Sequence, residues 1–83
     1  MSETVEQRVQ VVLHAQLRYY NDGEEETTLP FAVGSTIADY IARLPIPQHE
    51  FMGVVLDGTL TGDLTLVPVA GARIELVPAM SGG

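Results

Sequence analysis

Residues 8–18 alternate between apolar and polar positions. Val9, Val11, Leu13, Ala15 and Leu17 fall on one side, and Arg8, Gln10, Val12, His14, Gln16 and Arg18 on the other. A period of two over this length predicts a β-strand with one buried face. Asn21-Asp22-Gly23 follows as a hairpin signal, and Glu24-Glu25-Glu26 leads into a second strand over residues 27–31. Pro30 has no donor for a ladder, which places that strand at a sheet edge or at its own end. The three glutamates are compatible with a metal or partner site; a solvated edge that resists strand addition requires only their charge.

The period then changes. Ile37, Tyr40, Ile41 and Leu44 fall at i, i+3, i+4 and i+7, one face of a helix. Thr36 and Asp39 form a capping-box pair at its start, and Pro45 and Pro47 stop it. Tyr40 reads as a core residue whose hydroxyl reaches the surface. A third strand spans Phe51 to Leu56, Asp57-Gly58 makes a tight turn, and Thr59-Leu60 starts the return. Residues 63–69 read as a short strand or a loop. The last strand runs from Ala72 to Val77, with Ile74 and Leu76 inward and Arg73, Glu75 and Val77 outward.

After Val77 the pattern stops. Pro78 cannot donate to a ladder, so strand pairing is expected to end there. Pro78-Ala79-Met80-Ser81-Gly82-Gly83 then reads as a flexible tail of roughly 20 Å reach. Its two glycines carry no Cβ and can pass where a side chain could not. A frayed end would look the same by composition; the direct succession of strand, short apolar linker and Gly-Gly favours a tail. The expected organisation is one domain over residues 1–77, with residues 1–7 flexible, followed by the tail at 78–83.

Strand, strand, helix, strand, short strand and strand, in this length, predict an α+β fold: a β-grasp with a mixed sheet of four to five strands packed on one main helix. The last strand should lie parallel beside the first. One helix covers one sheet face, leaving Val12, His14 and Val77, with Leu60 nearby, as an apolar docking patch on the other.

Composition narrows the chemistry. The chain has 83 residues, and 46% are apolar, too many for a disordered segment. A net charge of −7 opposes nucleic-acid phosphates and suits a basic protein partner. No cysteine is present, so there is no thiolate nucleophile and no disulfide. His14 and His49 stand apart from each other, which makes a poor metal site. No apolar run is long enough to span a bilayer and the first residues do not read as a signal peptide, so a cytoplasmic location is expected. The basic residues are four arginines and no lysine, so there is no ε-amine for modification and covalent chemistry is expected at the two termini.

Four segments carry a resemblance to a known family. Leu13-His14-Ala15-Gln16-Leu17-Arg18 resembles the "F-A-x-L-R" run of the MoaD branch of the MoaD/ThiS sulfur carriers. Gly34-Ser35-Thr36-Ile37-Ala38-Asp39-Tyr40-Ile41 is similar to their "G-A-T-V-x-D-L-L", and Val55-Leu56-Asp57-Gly58-Thr59-Leu60 to their "V-N-x-x-x-V/L". Leu76-Val77-Pro78-Ala79-Met80-Ser81-Gly82-Gly83 is similar to their "F-P-P-V-x-G-G" ending. The chain departs from the pattern at Gly71-Ala72-Arg73-Ile74, where the family's acidic pair is absent, and at His14 and Val77, which replace exposed aromatic residues.

The resemblance implies a ubiquitin-like β-grasp that is a substrate and donor rather than an enzyme. A free α-carboxylate is ionised at neutral pH and is a poor electrophile. In the family, an adenylyltransferase of the ubiquitin-activating type uses ATP to adenylate the terminal glycine, here Gly83, which becomes a thiocarboxylate and delivers sulfur to a second enzyme. The closest type is the molybdopterin synthase small subunit of molybdenum or tungsten cofactor biosynthesis, whose acceptor is the large subunit. A carrier for a thiazole or cysteine synthase, and a ubiquitin-like protein modifier, are the alternatives. Gly82, Ser81, Met80, Val77, Leu60 and His14 are the expected partner-binding residues. No bound cofactor, metal, nucleic acid or membrane is expected.

Overall fold

The computed structural model describes residues 7–79. Five strands form one mixed sheet: β1 (Arg8–Leu13), β2 (Glu26–Pro30), β3 (Phe51–Leu56), β4 (Thr59–Thr61) and β5 (Arg73–Pro78), in the order β2-β1-β5-β3-β4. β5 runs parallel to β1, with Val11 opposite Ile74 and Leu13 opposite Leu76; the other pairings are antiparallel. This is the mixed sheet with the last strand beside the first that the element order predicts. α1 (Ile37–Ile41) is the one α-helix among the described residues.

The core lies between that helix and one face of the sheet. Val9, Val11 and Leu13 of β1, Ile74 and Leu76 of β5, Val54 of β3 and Ile37 and Tyr40 of α1 are buried in one cluster. Leu44 packs at its margin from the turn that follows Ile41, the last residue of α1. Burial of this apolar surface is the dominant stabilising contribution.

Local signals hold the helix in place. Thr36 Oγ1 accepts from the Asp39 N–H at 3.1 Å, and Asp39 Oδ2 accepts from the Thr36 N–H at 2.9 Å, completing the capping box. The next two N–H groups, of Ile37 and Ala38, donate to the carbonyls of Leu66 and Leu64 at 2.9 and 3.0 Å. These donors have no partner within the helix. Residues 63–69 are therefore a loop rather than a strand, and their carbonyls satisfy the helix start.

Three expectations are corrected. β1 ends at Leu13, and Ala15–Asn21 form a 3-10 helix instead of continuing the strand to Arg18. Leu13 and Leu17 are both buried and Ala15 is exposed: Leu13 is held inward by β1, and the 3-10 helix that starts at Ala15 turns Leu17 back to the core. Asp22 and Gly23 have φ of 53° and 84° and make the turn that closes this 3-10 helix, so β1 and β2 are not joined by a tight hairpin. The Tyr40 hydroxyl does not reach solvent: it accepts from the Ala32 N–H at 2.9 Å and donates to the Ala32 carbonyl at 3.2 Å, with the residue 1% exposed. The Gln7 carbonyl accepts from the Phe31 N–H at 2.9 Å. By contrast, Asp57-Gly58 forms its tight turn, with φ of 49° and 88°, and Pro30 ends an edge strand. Among the described residues no helix is long and apolar enough to cross a membrane.

Candidate functional site

The sheet face away from the helix has two unlike halves. On the β2 side it is polar. Gln10 Nε2 donates to Glu26 Oε1 at 2.6 Å, and Arg73 Nη1 donates to Gln10 Oε1 at 3.3 Å. Arg73 Nε pairs with Glu75 Oε2 at 3.4 Å, and His14 Nε2 lies 2.9 Å from Glu75 Oε1. The other His14 nitrogen is 3.9 Å from Glu25 Oε2. The hydrogen bond to His14 comes first, with Arg73 beside it, in holding the Glu75 carboxyl below its ordinary range against the opposing effect of desolvation.

These side chains surround Val12, whose register partners are Glu26 and Glu75. Val12 is 1% exposed, so it does not belong to an apolar docking patch as the alternation suggested. It stands on a central strand, and its polar neighbours from β2 and β5 reach one another over it.

On the other side the same face is apolar. Val77 of β5 lies opposite Gly53 of β3, and Glu75 opposite Val55, which in turn faces Leu60 of β4. Leu60 is 70% exposed. A Cβ on Gly53 would lie 3.5 Å from Leu60 Cδ1, so the Leu60 side chain leans over the space this glycine leaves. Val77, Leu60 and the half-buried His14 thus come onto one face from β5, β4 and the end of β1. The remaining expected site residues, Met80, Ser81, Gly82 and Gly83, lie outside the described residues.

The root of the tail differs from its sequence reading. Pairing continues through Pro78, opposite Phe51, and the Ala79 N–H donates to the Glu50 carbonyl at 2.9 Å. β1 has already ended at Leu13, opposite Leu76, so at Pro78 the strand has only β3 as a neighbour. A missing donor is tolerated where one side of the strand carries no ladder. Gln16 Nε2 donates to the Ala79 carbonyl at 3.4 Å. Neither Gln16 nor Glu50 was singled out in the sequence, because reading residues 14–18 as strand put Gln16 on a ladder.

On the opposite side of the domain, Ala38, Ile41, Leu44, Ile46, Phe51 and Leu64 line a groove of about 340 Å³. Gln48 is its one amide-bearing side chain, and no titratable group lines it. Among the described residues no group of three or more His, Asp or Glu could hold a metal ion.

No protein-family model matches the chain, and no curated protein matches it. Solved structures do. The crystal structure of SAMP1 from Haloferax volcanii superposes with a TM-score of 0.73 at 20% identity, over 92% of this chain and 99% of that one. The fold is a ubiquitin-like β-grasp. The solution structure of small archaeal modifier protein 1 (SAMP1) from Methanosarcina acetivorans gives 0.64 at 20% identity, over 96% and 100% of the two chains. That of the HVO 2177 protein of Haloferax volcanii gives 0.69 at 14%, over 100% and 92%. At these identities the likeness is one of fold. In this β-grasp domain, β5 carries the apolar half of the open face at its end and leads directly to the residues that precede Gly82-Gly83.

Proposed function

We propose that this chain is a carrier whose Gly83 carboxyl is activated by a partner enzyme and then used to transfer sulfur. The observation that carries the reading is the apolar strip of Val77, Gly53, Val55 and Leu60, formed across β5, β3 and β4 beside the end of the strand that leads to Gly82-Gly83. A docking surface at the root of a slender, side-chain-poor end lets one enzyme hold the domain while the end enters its active site. An adenylyltransferase of the ubiquitin-activating type supplies the missing electrophile. The Gly83 carboxylate attacks the α-phosphorus of ATP, pyrophosphate leaves, and the acyl-adenylate forms. A persulfide displaces AMP, and thiol cleavage of the resulting acyl disulfide leaves the thiocarboxylate. The domain then docks on an acceptor enzyme and donates sulfur. The MoaD-like segments favour a pterin acceptor, as in molybdopterin synthase; the altered Gly71-Ala72-Arg73-Ile74 segment leaves a thiazole or cysteine synthase as the competing acceptor.

A second reading is protein modification, in which an acceptor lysine amine takes the place of the sulfur donor. It is supported by the description of the Methanosarcina acetivorans neighbour as a modifier protein. Intact-mass analysis after incubation with an adenylyltransferase, ATP and a sulfur source separates the two. Carrier chemistry adds about 16 Da by exchanging one oxygen for sulfur at the activated acyl group. Isopeptide-linked Gly83 on other proteins supports modification, and an unchanged mass with no conjugate refutes both.

A further inference from the structure

We propose that Ala15 and Gln16 are positioning residues that fix the direction in which the C-terminal segment leaves the sheet. The proposal rests on the carrier reading and goes beyond it, since it concerns how the end is aimed rather than what is attached to it. Ala15 has a φ of 53°. Residues other than Gly, Asn and Asp rarely occupy this left-handed region, so the surrounding fold imposes it. The turn it makes takes the chain out of line with β1 after His14 and starts the 3-10 helix Ala15–Asn21. Gln16 thereby leaves the sheet ladder, and its Nε2 reaches the Ala79 carbonyl, 63 residues away in sequence.

From the opposite side, the Glu50 carbonyl accepts from the Ala79 N–H. Glu50 closes the second 3-10 helix, Gln48–Glu50. Both polar groups of Ala79 are therefore held, each by a different 3-10 helix on a different flank of β5. β1 no longer runs beside β5 at this level, so the ladder alone would restrain Ala79 on one side only. Gln16 supplies the second restraint. Ala79 is thus held on two flanks, and pre-orientation of the point from which a reacting end departs lowers the entropy lost at the active site.

The test uses Gln16→Ala and the near-isosteric Gln16→Glu, which keeps the size of the side chain but cannot donate. Two measurements are made on each. One is the kinetics of Gly83 adenylation, followed by pyrophosphate release with the adenylyltransferase. The other is NMR of the free protein, reading the Ala79 carbonyl shift and amide exchange. Both variants are expected to lower kcat/KM roughly three- to tenfold, the effect of one hydrogen bond. The Ala79 carbonyl shift should move and its amide should exchange faster. Unchanged kcat/KM in both variants overturns the proposal. A lowered kcat/KM with the Ala79 signals unchanged also overturns it, because Gln16 would then contact the partner rather than orient the end. If the parent protein is not adenylated, the carrier reading fails, and the Ala79 signals alone decide: no change on substitution overturns the hold, and a change supports it.

Discussion

Val77→Asp tests the docking face most directly. Val77 is partly buried, lies opposite Gly53 on β3, and precedes Pro78 at the end of β5. Its side chain points away from the core occupied by Ile74 and Leu76, so the substitution opens no cavity in the folded domain. A cost to folding of no more than about 1 kcal/mol is expected. Binding is different. An adenylyltransferase that covers the strip must desolvate the new carboxylate without a counter-ion, and Glu75, two residues back on the same face, is already negative. An unpaired charge at the centre of an interface costs about 2 kcal/mol or more, roughly a 30-fold rise in Kd. Isothermal titration against the adenylyltransferase reads the affinity, and a melting curve checks the fold. Leu60→Asp should behave alike. Val33→Asp is the control: Val33 follows the end of β2 paired with the start of β1, at the pole away from Val77, and is fully accessible. A Kd for folded Val77→Asp within threefold of the parent refutes the placement of the interface.

The other predictions concern the fold, its pH response and the reactive end. Tyr40→Phe removes a hydroxyl that both donates to and accepts from Ala32. It should destabilise the domain by about 2 kcal/mol in denaturant titration, since the Ala32 N–H loses its acceptor; a change below about 0.5 kcal/mol would show that water takes over both bonds. Glu75 has its pKa lowered by His14 and Arg73, so its carboxylate contributes stability above the ordinary carboxylate range and loses it as pH falls through the lowered folded-state value. Glu75→Gln should therefore melt earlier than the parent at neutral pH, and the two curves should converge on acidification; a gap independent of pH would mean that packing, not charge, is at stake. Adding one residue after Gly83, or replacing Gly82 by Val, should abolish thiocarboxylate formation while leaving stability within about 0.5 kcal/mol. Activity of the extended protein without trimming, read by intact mass, would rule out chemistry at the Gly83 carboxyl.

Much of this β-grasp was legible because its signals are local. The capping box of Thr36 and Asp39, the turn at Asp57-Gly58, the alternation of Ile74, Glu75 and Leu76 and the spacing of Ile37, Tyr40 and Ile41 involve residues within a few positions of one another. Propensity and periodicity act at that range, and the structure has each feature where the residues put it. The outward placement of Val77 was legible for the same reason.

What only the tertiary structure decided depends on neighbours far apart in the chain. Residues 13–17 satisfy a strand pattern and a helical one equally, since Leu13 and Leu17 face inward in both; the 3-10 turn at a left-handed Ala15 wins where β1 has run out of paired partners. Val12 is buried because Glu26 and Glu75, brought beside it by β2 and β5, are tied by Gln10, Arg73 and His14 over its side chain. Pro78 stays in the sheet because only one flank of β5 is paired at that level. Residues 63–69 carry little pattern of their own, because their backbone carbonyls, rather than their side chains, satisfy the first N–H groups of α1. Backbone pairing of this kind leaves almost no trace in side-chain identity, and it is settled only when the sheet and the helix are assembled against each other.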